Sequence, residues 1–165
     1  MKDMERIVRT LDAMYAPYDS EYSEYPVICG DEPVKAGNCH RLYVGEDTQM
    51  IFDADGGYEG LYRHSLRGSG RYYLKRAFYP KLAPKPMRME NRTGSDELDQ
   101  LVSVFLEIGV PFVQCRRTDH HGKIVGAVMF PTGMGFFHRQ TEETEETGDS
   151  PVGRVIGVVE MSNAV

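Results

Sequence analysis

Two pairs of short β-prone runs, each joined by a connection too short to hold a helix, constrain this chain more than any other feature. Residues 40–45 (HRLYVG) and 48–54 (TQMIFDA) flank Glu46-Asp47, and residues 111–118 (PFVQCRRT) and 123–130 (KIVGAVMF) flank Asp119-His120-His121-Gly122. Parallel neighbours require a crossover of a dozen or more residues, so connections of this length impose antiparallel hairpins. Two further runs, 135–140 (GFFHRQ) and 154–161 (RVIGVVEM), enclose the acidic stretch 141–150. A short apolar run at 25–30 (YPVICG) reads as a buried strand. The turn residues of 53–60 (DADGGYEG) close the first hairpin, and the glycine-broken run after them, 57–65, reads as a poor strand.

Two helices stand apart from these runs. Met4, Ile7, Val8, Leu11, Met14 and Tyr15 recur at the spacing of one helical face, and Pro17 stops them, which predicts a helix at about 3–16. Leu98, Leu101, Val102, Phe105 and Ile108 form a second stripe. Ser95 precedes it as an N-cap, Thr93 and Asp96 have capping-box spacing, and Gly109 and Pro111 end it, which predicts a helix at 95–108. Helices and hairpins segregate along the chain where a parallel sheet would make them alternate. The 165 residues, 41% of them hydrophobic, suffice for one core and not comfortably for two. The expected fold is therefore α+β, a single domain over 1–165 with a mainly antiparallel sheet built from hairpins.

Charge separates the chain into blocks. Residues 1–60 carry 5 Lys and Arg against 13 Asp and Glu, residues 61–92 carry 9 against 1, and residues 93–165 carry 5 against 11. The net charge of −6 thus hides a middle block of the opposite sign, and a partner responds to the local potential within about a Debye length, ~8–10 Å. No apolar run reaches the roughly 20 residues of a membrane span, and Asp3, Glu5 and Arg6 stand where a signal peptide is apolar. A cytoplasmic protein with no membrane contact is expected. Cys29, Cys39 and Cys115 are too few and too scattered for a disulfide framework.

Within the basic block, Arg63, Arg67, Arg71, Lys75 and Arg76 are interleaved with Tyr62, Tyr72, Tyr73 and Phe78. Cations balance phosphate charge and aromatic faces stack on bases, so this mixture suits a nucleic acid or a phosphorylated small molecule such as a nucleotide. Gly68, Ser69 and Gly70 admit close backbone approach. A short helix over 71–78, with Leu74, Ala77 and Phe78 inward, would aim orphan N–H groups at an anion. The segment 80–86 (PKLAPKP) is expected to run extended, its lysines open to a ligand or to solvent. Arg67-Gly68-Ser69-Gly70 resembles the RGxG turn by which acetyltransferases hold a coenzyme pyrophosphate, although Ser65 stands where that motif has Gln or Arg. The bland alternative is that the block pairs with the acids of its own chain.

Other constellations carry weaker signals. Cys29, Cys39, His40, Cys115, His120 and His121 lack the paired spacing of a zinc site, and no metal or cofactor is expected. Cys39 activated by His120 or His121 and oriented by Asp119 would make a Cys/His hydrolase or transferase. His138 alternates with aromatics and reads as a solvent-facing strand residue. Asp53 and Asp55 belong to a turn, since the other ligands of a calcium loop are missing. Glu142, Glu143, Glu145 and Glu146 read as a solvated loop, or as the contact of a small acidic inhibitor with a basic protein partner, such as a nucleic-acid enzyme. The leading expectation is a non-enzymatic binding protein for a phosphorylated ligand.

Overall fold

A computed structural model describes residues 2–24, 27–29, 32–35, 38–45, 47–64, 76–86, 96–118, 124–140 and 154–160. Its order is α1 (Asp3–Ala13), β1 (Asp19–Ser23), β2 (Val27–Cys29), β3 (Glu32–Lys35), β4 (Cys39–Val44), β5 (Thr48–Phe52), β6 (Tyr58–Arg63), β7 (Ala77–Pro80), α2 (Asp96–Ile108), β8 (Val113–Thr118), β9 (Ile124–Met129), β10 (Met134–Gln140) and β11 (Arg154–Glu160). All pairings are antiparallel: a five-stranded sheet β1-β4-β5-β6-β7, a four-stranded sheet β11-β10-β9-β8, and the small pair β2-β3. This is the α+β fold that the hairpin connections demand.

One core joins these parts. Ile7, Leu11 and Met14 of α1 and the stripe Leu98, Leu101, Val102, Phe105 and Ile108 of α2 pack with Leu42, Met50, Phe52 and Leu61 of the larger sheet and Val128 and Phe136 of the smaller. A fully buried side chain of this size contributes about 1.5–3 kcal/mol. The Thr48 hydroxyl donates to Thr132 Oγ1 at 2.6 Å, bridging the start of β5 to the β9–β10 turn. At the N-terminus, Asp3 Oδ2 accepts from the Tyr58 amide at 2.8 Å and the Met4 amide donates to the Gly56 carbonyl at 2.9 Å, so α1 begins against the β5–β6 turn.

Three local expectations are corrected. The first helix ends at Ala13, and Tyr15 leaves the apolar face: its φ is +57° and its side chain is 91% exposed. The Ala16 amide donates to the Leu11 carbonyl at 3.0 Å and the Tyr15 amide to that of Asp12 at 3.1 Å. This is a Schellman motif with tyrosine at the left-handed position that glycine favours, and Pro17 follows the end without causing it. The glycine-broken run is a true strand, β6, paired on both sides. Ala77 and Phe78 lie in strand β7 and not in a helix; the remainder of that expected helix, including Leu74, lies outside the described residues.

Tyr15→Gly is expected to raise stability by about 0.5–1 kcal/mol. Relief of the left-handed strain, roughly 1–2 kcal/mol, exceeds the added unfolded-state entropy, and an exposed ring gives up little packing. A rise in the urea midpoint at constant m-value would confirm it; a fall would mean that the ring is held by contacts it does not make here.

Candidate functional site

The register of β6 with β7 pairs Arg63 with Ala77, so residues 64–76 are the connection between two adjacent strands. That connection contains Arg67, Arg71, Lys75 and Arg76 and no acid. It springs from the end of the sheet where Thr48 pairs with Arg63 and where the Asp47 carbonyl accepts from the His64 amide at 2.8 Å. Tyr62 is buried in β6, Arg63 is half-buried, and His64 and Arg76 are exposed. Arg67, Gly68, Ser69, Gly70, Arg71, Tyr72, Tyr73 and Lys75 lie outside the described residues.

Beyond β7 the basic block continues as an exposed strap, residues 81–86, that belongs to no helix or strand. Backbone bonds fix its course. The Lys81 amide donates to the Glu59 carbonyl at 3.1 Å, the Leu82 amide to that of Gly109 at 2.7 Å, and the Lys85 amide to that of Leu106 at 3.0 Å. The strap thereby satisfies carbonyls that the end of α2 leaves without intrahelical donors. The last turn of α2 contains no basic residue, and the lysines of the strap bring positive charge to that negative helix end.

The opposite face of the five-stranded sheet holds residues that the sequence patterns did not single out. Ser23, Arg41 and Gln49 share this face diagonally across β1, β4 and β5, Arg41 itself standing opposite Glu21 and Ile51, and all three are buried. Arg41 Nε donates to Ser23 Oγ at 3.0 Å and Nη1 to Gln49 Oε1 at 2.7 Å. Beside them Cys39, Ile51 and Tyr62 form a small apolar cluster with Phe78 against it. Further along, the Tyr43 hydroxyl donates to Glu21 Oε1 at 2.7 Å, and burial, then that bond, push its pKa up to about 12. The alternation Cys39, Arg41, Tyr43 was the available signal: every second residue of β4 shares this face.

Cys39 is fully buried within β4, where no substrate in solution reaches its sulfur, while His120, His121 and Asp119 lie outside the described residues. Asp53 Oδ1 accepts from the amides of Asp55 at 2.9 Å and Gly57 at 2.8 Å, the Asx geometry of a turn. Among the described residues no group of three His, Cys, Asp or Glu is placed to hold a metal ion, and no helix is long and apolar enough to cross a membrane. Side-chain surroundings of His138, Cys29 and Cys115, and the acidic stretch 141–150, lie outside the described residues. Among the described residues these features define an α+β protein of two helices and antiparallel sheets of five, four and two strands, with a basic connection at one edge of the largest sheet. No protein-family model matches the chain, and no match is found among curated proteins or solved structures.

Proposed function

We propose that this chain is a non-enzymatic, cytosolic binding protein that receives a polyanion, a nucleic acid or a phosphorylated nucleotide, on the β6–β7 connection and the strap that follows it. The observation that carries the reading is the pairing of Arg63 with Ala77, which anchors both ends of an acid-free, four-cation connection on a rigid sheet. A charged loop held at both stems loses less entropy on binding than a free basic tail, and its tyrosines supply stacking surfaces. The exposed lysines of the strap, Lys81 and Lys85, extend the positive field from the connection toward the end of α2.

Arg67→Glu with Arg71→Glu is expected to abolish retention of single-stranded oligonucleotide on a filter at physiological salt while leaving the unfolding free energy from urea titration within about 0.5 kcal/mol of the parent, as this reading requires of a surface connection. For the parent protein the logarithm of affinity should fall linearly with that of salt, and loss of two phosphate contacts should flatten the slope by about 2. Undiminished retention by the double variant would remove the connection as the site. Identifying what co-purifies from nuclease-treated and untreated lysate would separate nucleic acid from small nucleotides.

A further inference from the structure

β1 is an edge strand of the larger sheet, and its backbone is paired on one side. In the antiparallel ladder with β4, every second residue turns both its N–H and its C=O away from the partner strand. Among the described residues, β1 pairs only with β4, and residues 19–23 make no backbone hydrogen bond outside that ladder. Asp19, Ser20, Glu21 and Tyr22 are exposed, and so is Glu24 beyond them. The strand therefore offers solvent a row of unpaired donors and acceptors about 17 Å long.

Its two faces differ. Asp19 and Glu21 fall on one, Ser20 and Tyr22 on the other, by the alternation of a strand. Tyr22 is 50% exposed, and its ring lies against that of His40 on β4 with centroids 4.5 Å apart, so an aromatic surface stands at the sheet margin. The acidic face keeps its charge. Residues 10–24 contain Asp12, Asp19, Glu21 and Glu24 and no lysine or arginine, and among the described residues none of these four acids is in an ion pair. Asp12 and Glu21 accept instead from the hydroxyls of Tyr18 and Tyr43, at 2.6 and 2.7 Å. The bond to Asp12, then burial, pushes the Tyr18 pKa up to about 12, and Tyr43 is raised as far, so both phenols stay neutral and cancel no charge. Arg41 stands opposite Glu21, but its guanidinium is bonded to Ser23 and Gln49.

Acids along an edge repel a second copy of the same strand, which guards against self-pairing, and they select a cationic one. We infer that the open side of β1 receives an extended segment of a basic partner protein as a sixth strand, its cationic side chains toward Asp19 and Glu21 and its alternate, apolar ones toward Tyr22. In such an addition the backbone bonds supply affinity and the alternate side chains specificity. The surface lies at the opposite edge from β7, so it is separate from the connection proposed to receive a polyanion.

The test titrates the full chain into a fluorescein-labelled peptide of about nine alternating lysines and valines. Anisotropy is followed at about 20 mM and about 300 mM NaCl, where the Debye length is roughly 20 Å and 6 Å. Saturable binding is expected at low salt and several-fold weaker binding at high salt, with slowed hydrogen exchange at alternate amides of residues 19–23. The same peptide N-methylated at every residue keeps its charge and should not bind. Asp19→Lys with Glu24→Lys, which spares the Glu21 that accepts from Tyr43, should weaken binding at least about tenfold at low salt. Tyr22→Ala should weaken it about threefold and leave the salt dependence unchanged; unaltered exchange in β5 shows that either variant is folded. No saturable binding by the parent, equal binding of the N-methylated peptide, protection elsewhere than residues 19–23, or either variant binding like the parent overturns the inference. So does binding that is lost on changing Glu142, Glu143, Glu145 and Glu146 to Gln with β1 intact. Filter retention of oligonucleotide tests the other edge separately.

Discussion

Arg41→Ala is expected to destabilise the protein by about 3 kcal/mol, the range for removing one member of a buried, charge-assisted network. Arg41 is 5% exposed and its guanidinium ties Ser23 on one neighbouring strand to Gln49 on the other. Truncation loses those bonds and the packing of the side-chain stem, and leaves the Ser23 hydroxyl and the Gln49 carbonyl facing a void. For a domain of this size the melting temperature should fall by roughly 6–12 °C. A sharper form of the test replaces all three together, Ser23→Ala, Arg41→Met and Gln49→Met. If the cost is that of stranded polar groups, the triple variant should regain most of the loss. A single Arg41→Ala variant that shifts stability by less than about 1 kcal/mol would mean that this network does not hold the β1 edge to the sheet.

Gly109→Ala is expected to cost about 3 kcal/mol, although the change adds only one methyl group. Two effects combine. Gly109 has φ +96°, a conformation that costs a residue with a Cβ on the order of 1–3 kcal/mol. A Cβ there would lie 2.1 Å from the Leu82 carbonyl oxygen, so the strap must move and its bonds to Gly109 and Leu106 must lengthen. Gly45→Ala is the comparison. Its φ of +68° is also left-handed, but the obstacle is the flexible end of Met134, so only the backbone part of the penalty should remain. Faster hydrogen exchange at Leu82 and Lys85 in Gly109→Ala, with exchange in β9 and β10 unchanged, would localise the damage to the strap. Equal costs for the two variants would show that the strap gives way freely.

What could be read from the residues and what could not divide along physical lines. The β4–β5 and β8–β9 hairpins and the stripe of α2 were legible because their apolar periodicity and connection lengths have one economical solution each. β6 was not, because Gly60 resembles a breaker. The glycine is there to admit a neighbour: a Cβ at that position would lie 2.6 Å from Phe78 Cζ and from the Tyr79 carbonyl. β7 has only four residues, too few for periodicity to distinguish a strand from a helix, and only pairing with β6 decides it. The basic stretch was visible by composition, yet its place as a connection between paired strands depends on that same missed partner. Arg41 was overlooked for a related reason: an arginine in a strand reads as solvent-facing until the neighbours on both sides are known.

The docking of α1 on the β5–β6 turn bears on how the protein is best handled. Lys2 lies beside Gly56, at the end of the larger sheet opposite the one from which the basic connection emerges. The strands between span about 17 Å. A flexible linker carried ahead of residue 2 can therefore tether the molecule to a sensor surface with Arg63 and Ala77, the stems of the basic connection, at the end of the sheet away from the support. A linker inserted among residues 64–76 would obscure the groups whose binding is to be measured.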